Sequence, residues 1–489
     1  MLFNSYAFLV GFLPLALIAF FGLGRMKSMR WALGALVVAS ITFYAYWDWH
    51  NLKVLVPSLV VNFVLGRALT ARADKKLPTQ LLVTLGVIFN LGLLGYFKYT
   101  DFLLQTATQV SGIPFALQHI VLPLGISFFT FEQIAYIVDS SRGKSRPYSF
   151  LEYLLFVTFF PHLIAGPIIQ HDELLNQLDD KTRRFSTEAF TLGLTLLIFG
   201  LFKKVVLADA LVANVGPVYD DTSGQIPTFF NAWLATLCYS LQLYFDFSGY
   251  SDMAIGLARM FNLKLPANFD SPYKAHNIID FWRRWHMTLS RFLRNYLYIP
   301  LGGNRGSKTR RYVNLMLTML LGGLWHGAGW GFVIWGGLNG IFLVINNLFR
   351  SWRGANKENT PEGPFWVVEL SGWFTFICIM LSRVSFRSPN LETASVVFKG
   401  LLGQGGWAIA EGLRGEAKTV ALALALFAVC RFMPNTQELL ASKQPVFQKV
   451  TPSRLQFEWN PRWAVAVGAM AVASLMLLTR VSEFLYFQF

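Results

Sequence analysis

Apolar residues run in long blocks along the chain, at about 2–23, 31–47, 54–70, 81–99, 120–138, 151–170, 189–208, 229–247, 312–325, 329–349, 365–382, 417–433 and 463–479. At roughly 20 apolar residues per crossing, such blocks predict membrane helices. The 151–170 block contains Pro161, His162, Gly166 and Pro167, which interrupt a simple spanning helix and suit a re-entrant or kinked segment lining a cavity. The pattern predicts an all-α polytopic membrane protein with about 11 to 13 transmembrane or re-entrant helices. No solenoid-length repeat and no Pro/Gly/Ser linker divides the chain, so 1–489 reads as one membrane domain.

Composition sharpens this reading. Of 489 residues 54% are apolar and 14% charged, too few charges to solvate an ordinary soluble enzyme of this length. The 42 basic and 27 acidic residues leave +15, which in a soluble protein suggests nucleic acid and in a membrane protein reads first as topology. Arg25, Lys27 and Arg30 occupy the first connection, Arg67, Arg72, Lys75 and Lys76 a later one, and Arg142, Lys144 and Arg146 another, while the loops around Asp48 and over 101–118 are nearly free of base. This alternation predicts an extracytoplasmic N-terminus, with the 67–76 and 142–147 loops and the basic interval 264–311 in the cytoplasm. The span at 463–479 then exits outward, leaving the aromatic tail 480–489 outside. The first block lacks a basic n-region and a cleavage pattern and is expected to be a retained span. Cys238, Cys378 and Cys430 stand singly in apolar sequence without metal-type spacing and read as small buried hydrophobes.

An ionisable group at membrane depth is costly unless partnered or wetted, so such residues are functional candidates. His326 sits among Trp325, Gly323, Gly327 and Gly331. The glycines, four apart, read as close helix packing on one face. The imidazole is either a proton acceptor, neutral at pH 7, or a satisfied core histidine. A second place is Asp280 to His286, where Trp282 and His286 pair at i,i+4, as do Asp280 and Arg284; the pattern describes an interfacial helix. A third is Asp246 and Asp252 around Gly249, read as helix caps and local hydrogen bonds unless Gly249 breaks the helix to form an acid/base pair. Glu132 is a further intramembrane acid. The 302–309 stretch resembles a phosphate loop with wrong glycine spacing and is a basic loop, and no serine-hydrolase or zinc-peptidase motif occurs. These features alone leave transporter and membrane enzyme equally open.

Five motifs narrow the choice: Leu122 to Phe131, Phe160 to Pro167, Tyr244 to Gly256, Asp280 to His286, and Leu321 to His326. Together and in this order they resemble the membrane-bound O-acyltransferase family, in its bacterial branch that acetylates exported polysaccharides. The resemblance implies a ring of helices around a central cytoplasmic funnel and an acyl thioester donor, acetyl-CoA, entering from inside. It implies His326 as the intramembrane catalytic histidine, His286 as the second histidine of the branch, and an extracytoplasmic polysaccharide acceptor reached through periplasmic acetyltransferase partners. The implied place is the bacterial inner membrane, in contact with lipid, with no nucleic acid partner, no metal and no permanently bound cofactor. Arg283, Arg284, Arg291, Arg294, Arg305 and Lys308 stand on the side where the donor's phosphates would dock. A positive-inside role explains them equally. Tyr486 in the tail resembles the tyrosines of acyl-exporting tails in this branch and is expected either to relay the acyl group or to sit in an aromatic interface belt. Open alternatives are transfer of another acyl group such as D-alanine from a carrier protein, and a non-catalytic acyl or polymer export component.

Overall fold

The computed structural model describes residues 1–26, 28–71, 76–353, 364–478 and 484–485, so Lys27, Arg72, Lys75 and Tyr486 lie outside the described residues. In chain order the first helices are α1 (Leu13–Gly24), α2 (Met29–Ala45), α3 (Leu52–Thr70), α4 (Lys76–Leu94), α5 (Thr100–Ser111), α6 (Ile126–Ser141), α7 (Phe150–Thr158), α8 (Phe160–Leu163) and α9 (His171–Leu175). Next come α10 (Thr187–Leu201), α11 (Gly216–Tyr219), α12 (Phe229–Met260), α13 (Ile278–Arg284), α14 (Met287–Leu293), α15 (Lys308–His326), α16 (Trp330–Trp352) and α17 (Phe365–Arg387). The last are α18 (Leu391–Leu401), α19 (Ile409–Gly415), α20 (Ala417–Phe432), α21 (Thr436–Leu439) and α22 (Pro461–Leu477).

The described residues contain no strand, and the protein is an all-α polytopic membrane protein. Five described helical stretches are long and apolar enough to cross a bilayer: Ala7–Gly24, Trp49–Thr70, Thr79–Ser111, Trp330–Trp352 and Phe365–Arg387. Met29–Ala45 and Pro461–Leu477 are apolar but shorter.

The 151–170 block breaks as its prolines predict. A capping box of Ser149 and Glu152 starts α7, Phe159 leaves helical backbone at ψ 108°, and α8 lasts four residues. The 120–138 block differs from expectation, because its helix begins only at Ile126, after Gly125 in left-handed backbone. The 229–247 block also differs: α12 continues through Gly249 to Met260, 32 residues or about 48 Å, and is buried along most of its length. Asp246 and Asp252 therefore lie inside a helix and cap nothing.

Backbone contact with α10 explains the unbroken α12. A Cβ on Gly193 would lie 2.5 Å from Gly256 O, and one on Gly200 2.5 Å from Gly249 O, so glycine at these positions lets the two helices touch main chain to main chain. That approach delivers the residues after α10 to the acids of α12. Lys203 Nζ reaches Asp252 Oδ2 at 2.6 Å, and Lys204 Nζ reaches Asp246 Oδ1 at 2.6 Å and Asp209 Oδ1 at 3.0 Å. Asp252 also accepts from Thr436 Oγ1 at 2.7 Å and Gln437 Nε2 at 3.0 Å, fastening α21 to the core. The two carboxylates are ion-paired supports of the α10–α12 junction.

Candidate active site

α15 starts at Ser307, whose hydroxyl accepts from the Arg310 N–H, and ends at His326. The last carbonyls of a helix lack intrahelical partners and carry the negative end of its dipole. Side chains from the π-helical stretch Gly95–Tyr99 cover them. The Tyr99 hydroxyl donates to Leu324 O at 2.8 Å, and the Lys98 ammonium donates to Trp325 O at 2.5 Å, His326 O at 3.2 Å and Ser127 Oγ at 3.3 Å.

At Gly327 the chain becomes extended, and α16 folds back along α15. A Cβ on Gly323 would lie 2.3 Å from Phe332 O and one on Gly336 2.4 Å from Met319 O, so this hairpin closes only around small residues. Gly323, Gly327 and Gly331 do not share one helical face as expected: they fall on α15, in the turn and on α16. The packing role holds, since a Cβ on Gly331 would meet Ser385 O of α17 at 2.4 Å. The hairpin holds the His326 ring in the interior, its centroid 5.1 Å from Trp335, 5.4 Å from Phe386 and 6.3 Å from His286.

His286 occupies the joint between α13 and α14 in left-handed backbone, φ 43°, a conformation that a non-glycine residue keeps only when its surroundings hold it. The expected single interfacial helix is therefore two short helices, and Trp282 and His286 are not helical neighbours. Its apolar stripe also differs from a headgroup anchor, because Trp285, His286, Leu289 and Phe292 are buried. The Asp280–Arg284 pair forms as expected, at 2.9 Å.

Asn268 holds the joint. Its backbone carbonyl accepts from Met287 N–H at 2.9 Å, and its Oδ1 accepts from the Thr288 hydroxyl at 2.9 Å and lies 3.1 Å from His286 Nδ1. Its Nδ2 donates to Ser251 Oγ at 3.3 Å, which fixes the amide's orientation. Facing a carbonyl-type oxygen, His286 Nδ1 carries the proton, and the buried Nε2, which has no hydrogen-bond partner, is left with its lone pair.

Two cavities meet at His326. The larger, about 820 Å³, has Arg283, Arg294, Arg311 and Arg350 in its wall, with Leu289, Leu293, Leu315, Met319 and Leu343, and reaches Trp282, Trp335 and His326. Along α15, the rise from Arg311 to His326 is about 22 Å. The smaller chamber, about 30 Å³, shares His326, Trp282 and Trp335 and adds Phe247, Trp285, Asn339, Ser382, Arg383 and Phe386. A basic, wide space and a tight aromatic one thus share one imidazole.

The expected basic residues separate in the structure. Arg283 lines the large cavity, whereas Arg284 is held by Asp280 and, at 3.6 Å, Asp270. Arg294 lines the cavity as well, Arg291 is held by Glu173 at 2.5 Å, Arg305 and Lys308 are exposed outside the cavity wall, and Arg311 and Arg350 stand in it instead. Tyr486 lies outside the described residues, but Phe484 and Leu485 just before it are buried. Phe484 stacks on Tyr250 at 4.5 Å and meets Phe247 at 6.0 Å, and Leu485 N–H donates to Asp246 Oδ2 at 3.2 Å. Phe247 in turn stands edge-on to His286 at 4.8 Å. Glu132 forms a buried pair with His162 at 3.1 Å, apart from either cavity's lining. Among the described residues no three His, Cys, Asp or Glu side chains gather as a metal site.

Lys98, Asn268 and Arg383 are site residues that sequence reading missed. For Lys98 a signal existed, a lone cation inside the 81–99 apolar block, and Arg383 carries the same signal within a spanning helix. Asn268, in an irregular polar stretch, had none.

The sequence profile of the membrane-bound O-acyltransferase family matches residues 76–385. A peptidoglycan O-acetyltransferase of Helicobacter pylori is 43% identical over 435 residues, 83% of this chain and 80% of its own. A Pseudomonas aeruginosa chain named as an alginate O-acetylase is 39% identical over 91% of this chain and 84% of its own. A teichoic acid D-alanyltransferase of Streptococcus thermophilus is 30% identical over 54% of this chain and 68% of its own.

Proposed function

The chain belongs to the membrane-bound O-acyltransferase family and is an O-acyltransferase, and we propose that it takes acetyl from a cytosolic thioester, acetyl-CoA, and passes it across the inner membrane for O-acetylation of an exported polysaccharide. The observation that carries this reading is the position of His326 where the two cavities meet. The arginine-lined cavity suits a phosphate-bearing thioester, with Arg283, Arg294, Arg311 and Arg350 as its phosphate partners in place of the exposed Arg305 and Lys308.

In this reading His326 takes the proton from an attacking hydroxyl as its oxygen bonds to the thioester carbonyl carbon. The tetrahedral oxyanion then collapses, the C–S bond breaks, and the imidazolium returns the proton to the leaving thiolate. The Lys98 ammonium at the His326 carbonyl and the Arg383 guanidinium in the chamber wall supply positive charge while the oxyanion exists. His286 presents its free Nε2 lone pair beside this centre, as a second proton-handling group.

The attacking hydroxyl is the phenol of Tyr486. Support comes from Phe484 and Leu485, two positions of the tail that are seated in the core beside Phe247, a wall of the small chamber. A phenol pKa of about 10 lies near a thiol's, about 8.5, so the acetyl ester keeps most of the thioester's transfer potential for a periplasmic acetyltransferase. The basic loops face the cytoplasm and both termini the other side. Arg67, on the described end of the 67–76 loop, lies in the last turn of α3.

The test is acetyl transfer from acetyl-CoA by purified protein. His326→Ala should lose roughly 10²- to 10⁴-fold with unchanged membrane level and melting temperature. Transfer by that variant above about a tenth of wild type would remove His326 as the base. Tyr486→Phe keeps the ring and deletes the nucleophile, so polymer acetylation should vanish at unchanged protein level; full acetylation would exclude the relay.

A further inference from the structure

Arg383 is 3% exposed on α17 and makes no ion pair among the described residues. Its guanidinium lies 4.5 Å from the Trp285 ring centroid and 5.4 Å from that of Tyr273, and Nη1 donates to Ser240 O at 3.3 Å and to the Tyr273 hydroxyl. Rings and neutral oxygens orient a guanidinium and leave its charge in place. Two other cations beside α12 are balanced, Lys203 by Asp252 and Lys204 by Asp246 and Asp209. Arg383 lines the small chamber that opens on His326, and the rest of its wall is aromatic and aliphatic apart from neutral Asn339 and Ser382. Asn339 Oδ1 is buried without a hydrogen-bond partner and offers a dipole, not a countercharge.

A chamber of about 30 Å³ has room for roughly two waters, the scale of a short acyl group. Resting on the acetyl-transfer reading above, we propose that this chamber receives the acyl group and that Arg383 makes it select uncharged short acyl groups, rejecting aminoacyl groups by charge. An α-amino group has an ordinary pKa near 8 and carries its proton at neutral pH. Seated next to His326, an aminoacyl ammonium would face the guanidinium across a space walled by indole and phenyl rings, where water screens little. An acetyl group meets no such opposition, and its carbonyl oxygen gains from the same charge. Arg383 is thus a specificity-determining residue that separates acetyl from D-alanyl donors through charge, with size set independently by the aromatic walls.

The experiment compares pantetheine thioesters of D-alanine and of isobutyrate, which has a methyl where D-alanyl has its ammonium, for binding to the purified full-length protein and for transfer relative to acetyl. The wild type should prefer isobutyryl to D-alanyl by at least roughly tenfold, and Arg383→Gln, which keeps hydrogen-bond donors without the charge, should shrink that preference to within about threefold. Ser382→Asp, which adds a carboxylate beside Arg383 on the same wall, should shrink it as well. Equal binding of the two thioesters by wild type, or a preference unchanged in both variants, would overturn the role of Arg383. Wild type that transfers no acetyl would count against the acetyl donor, and the two binding constants would still decide for or against charge selection.

Discussion

The α15–α16 hairpin and the α10–α12 junction both bury ionisable groups among apolar helices, and they treat them in opposite ways. At α10–α12 two lysines meet carboxylates, Lys203 with Asp252 and Lys204 with Asp246 and Asp209, and glycines bring the helices into backbone contact around the pairs. At α15–α16 glycines again bring backbones together, yet the polar groups there and on the helices packed around it meet cavities: His326 and, from α17, Arg383 line open space, and His286 Nε2 and Trp282 Nε1 of the α13–α14 segment are buried without hydrogen-bond partners. Burial of an ionisable group alone is therefore a weak sign of chemistry. Neutralised charge holds helices together, whereas unmatched polarity beside a cavity is available to a substrate.

The broadest way to break this division is to damage both regions and compare activity with stability. Lys204→Met leaves Asp246 and Asp209 in the interior without their cation and should cost about 3–5 kcal/mol, read as a lowered melting temperature and poor membrane accumulation. His326→Ala should instead melt like wild type and be inactive. Matching losses of stability in the two variants would erase the distinction.

A finer cut separates His286 from its support. Asn268→Ala removes the acceptor for Nδ1 and the brace on the strained joint, so the tautomer and ring position are no longer held. Acetyl transfer should fall by about tenfold, in kcat more than in KM, the range that a lost orienting group costs. An unchanged kcat would make His286 a packing residue.

Effects of that size or smaller should come from the basic surface, where cavity-lining and ion-paired arginines part company. Arg311 lines the large cavity and donates to Asn347, while its buried Nε has no partner. Arg311→Gln should raise KM for acetyl-CoA by roughly tenfold, the scale of one charged hydrogen bond. Arg284→Gln breaks a part-exposed pair with Asp280 and should leave KM alone and shift stability by about 1 kcal/mol or less. Equal KM changes would show that the cavity wall does not choose among the arginines.

Local signals made much of the molecule legible. The prolines of the 151–170 block announce its break, and His326 stands out as an imidazole in apolar sequence. The failures share one cause. Asp246 and Asp252 look like caps beside Gly249 until Lys204 and Lys203 are brought against them, and Trp282 and His286 look like i,i+4 neighbours until the backbone turns left-handed at His286. The three glycines around His326 look like one face until Gly327 becomes the turn of a hairpin.

The amino-acid sequence by itself determined an all-helical membrane protein, the polar interval 264–311 and the isolation of His326, because length, apolarity and the cost of polar groups in lipid act on contiguous residues. Only the tertiary structure decided which ionisable groups are neutralised, which arginines line the cavity and where the two cavities meet. The free energy of a buried polar group is set by the atoms within a few ångströms of it. Here those atoms come from far along the chain, Lys98 to the carbonyl of His326 and Leu485 to the carboxylate of Asp246, and no local pattern encodes such meetings.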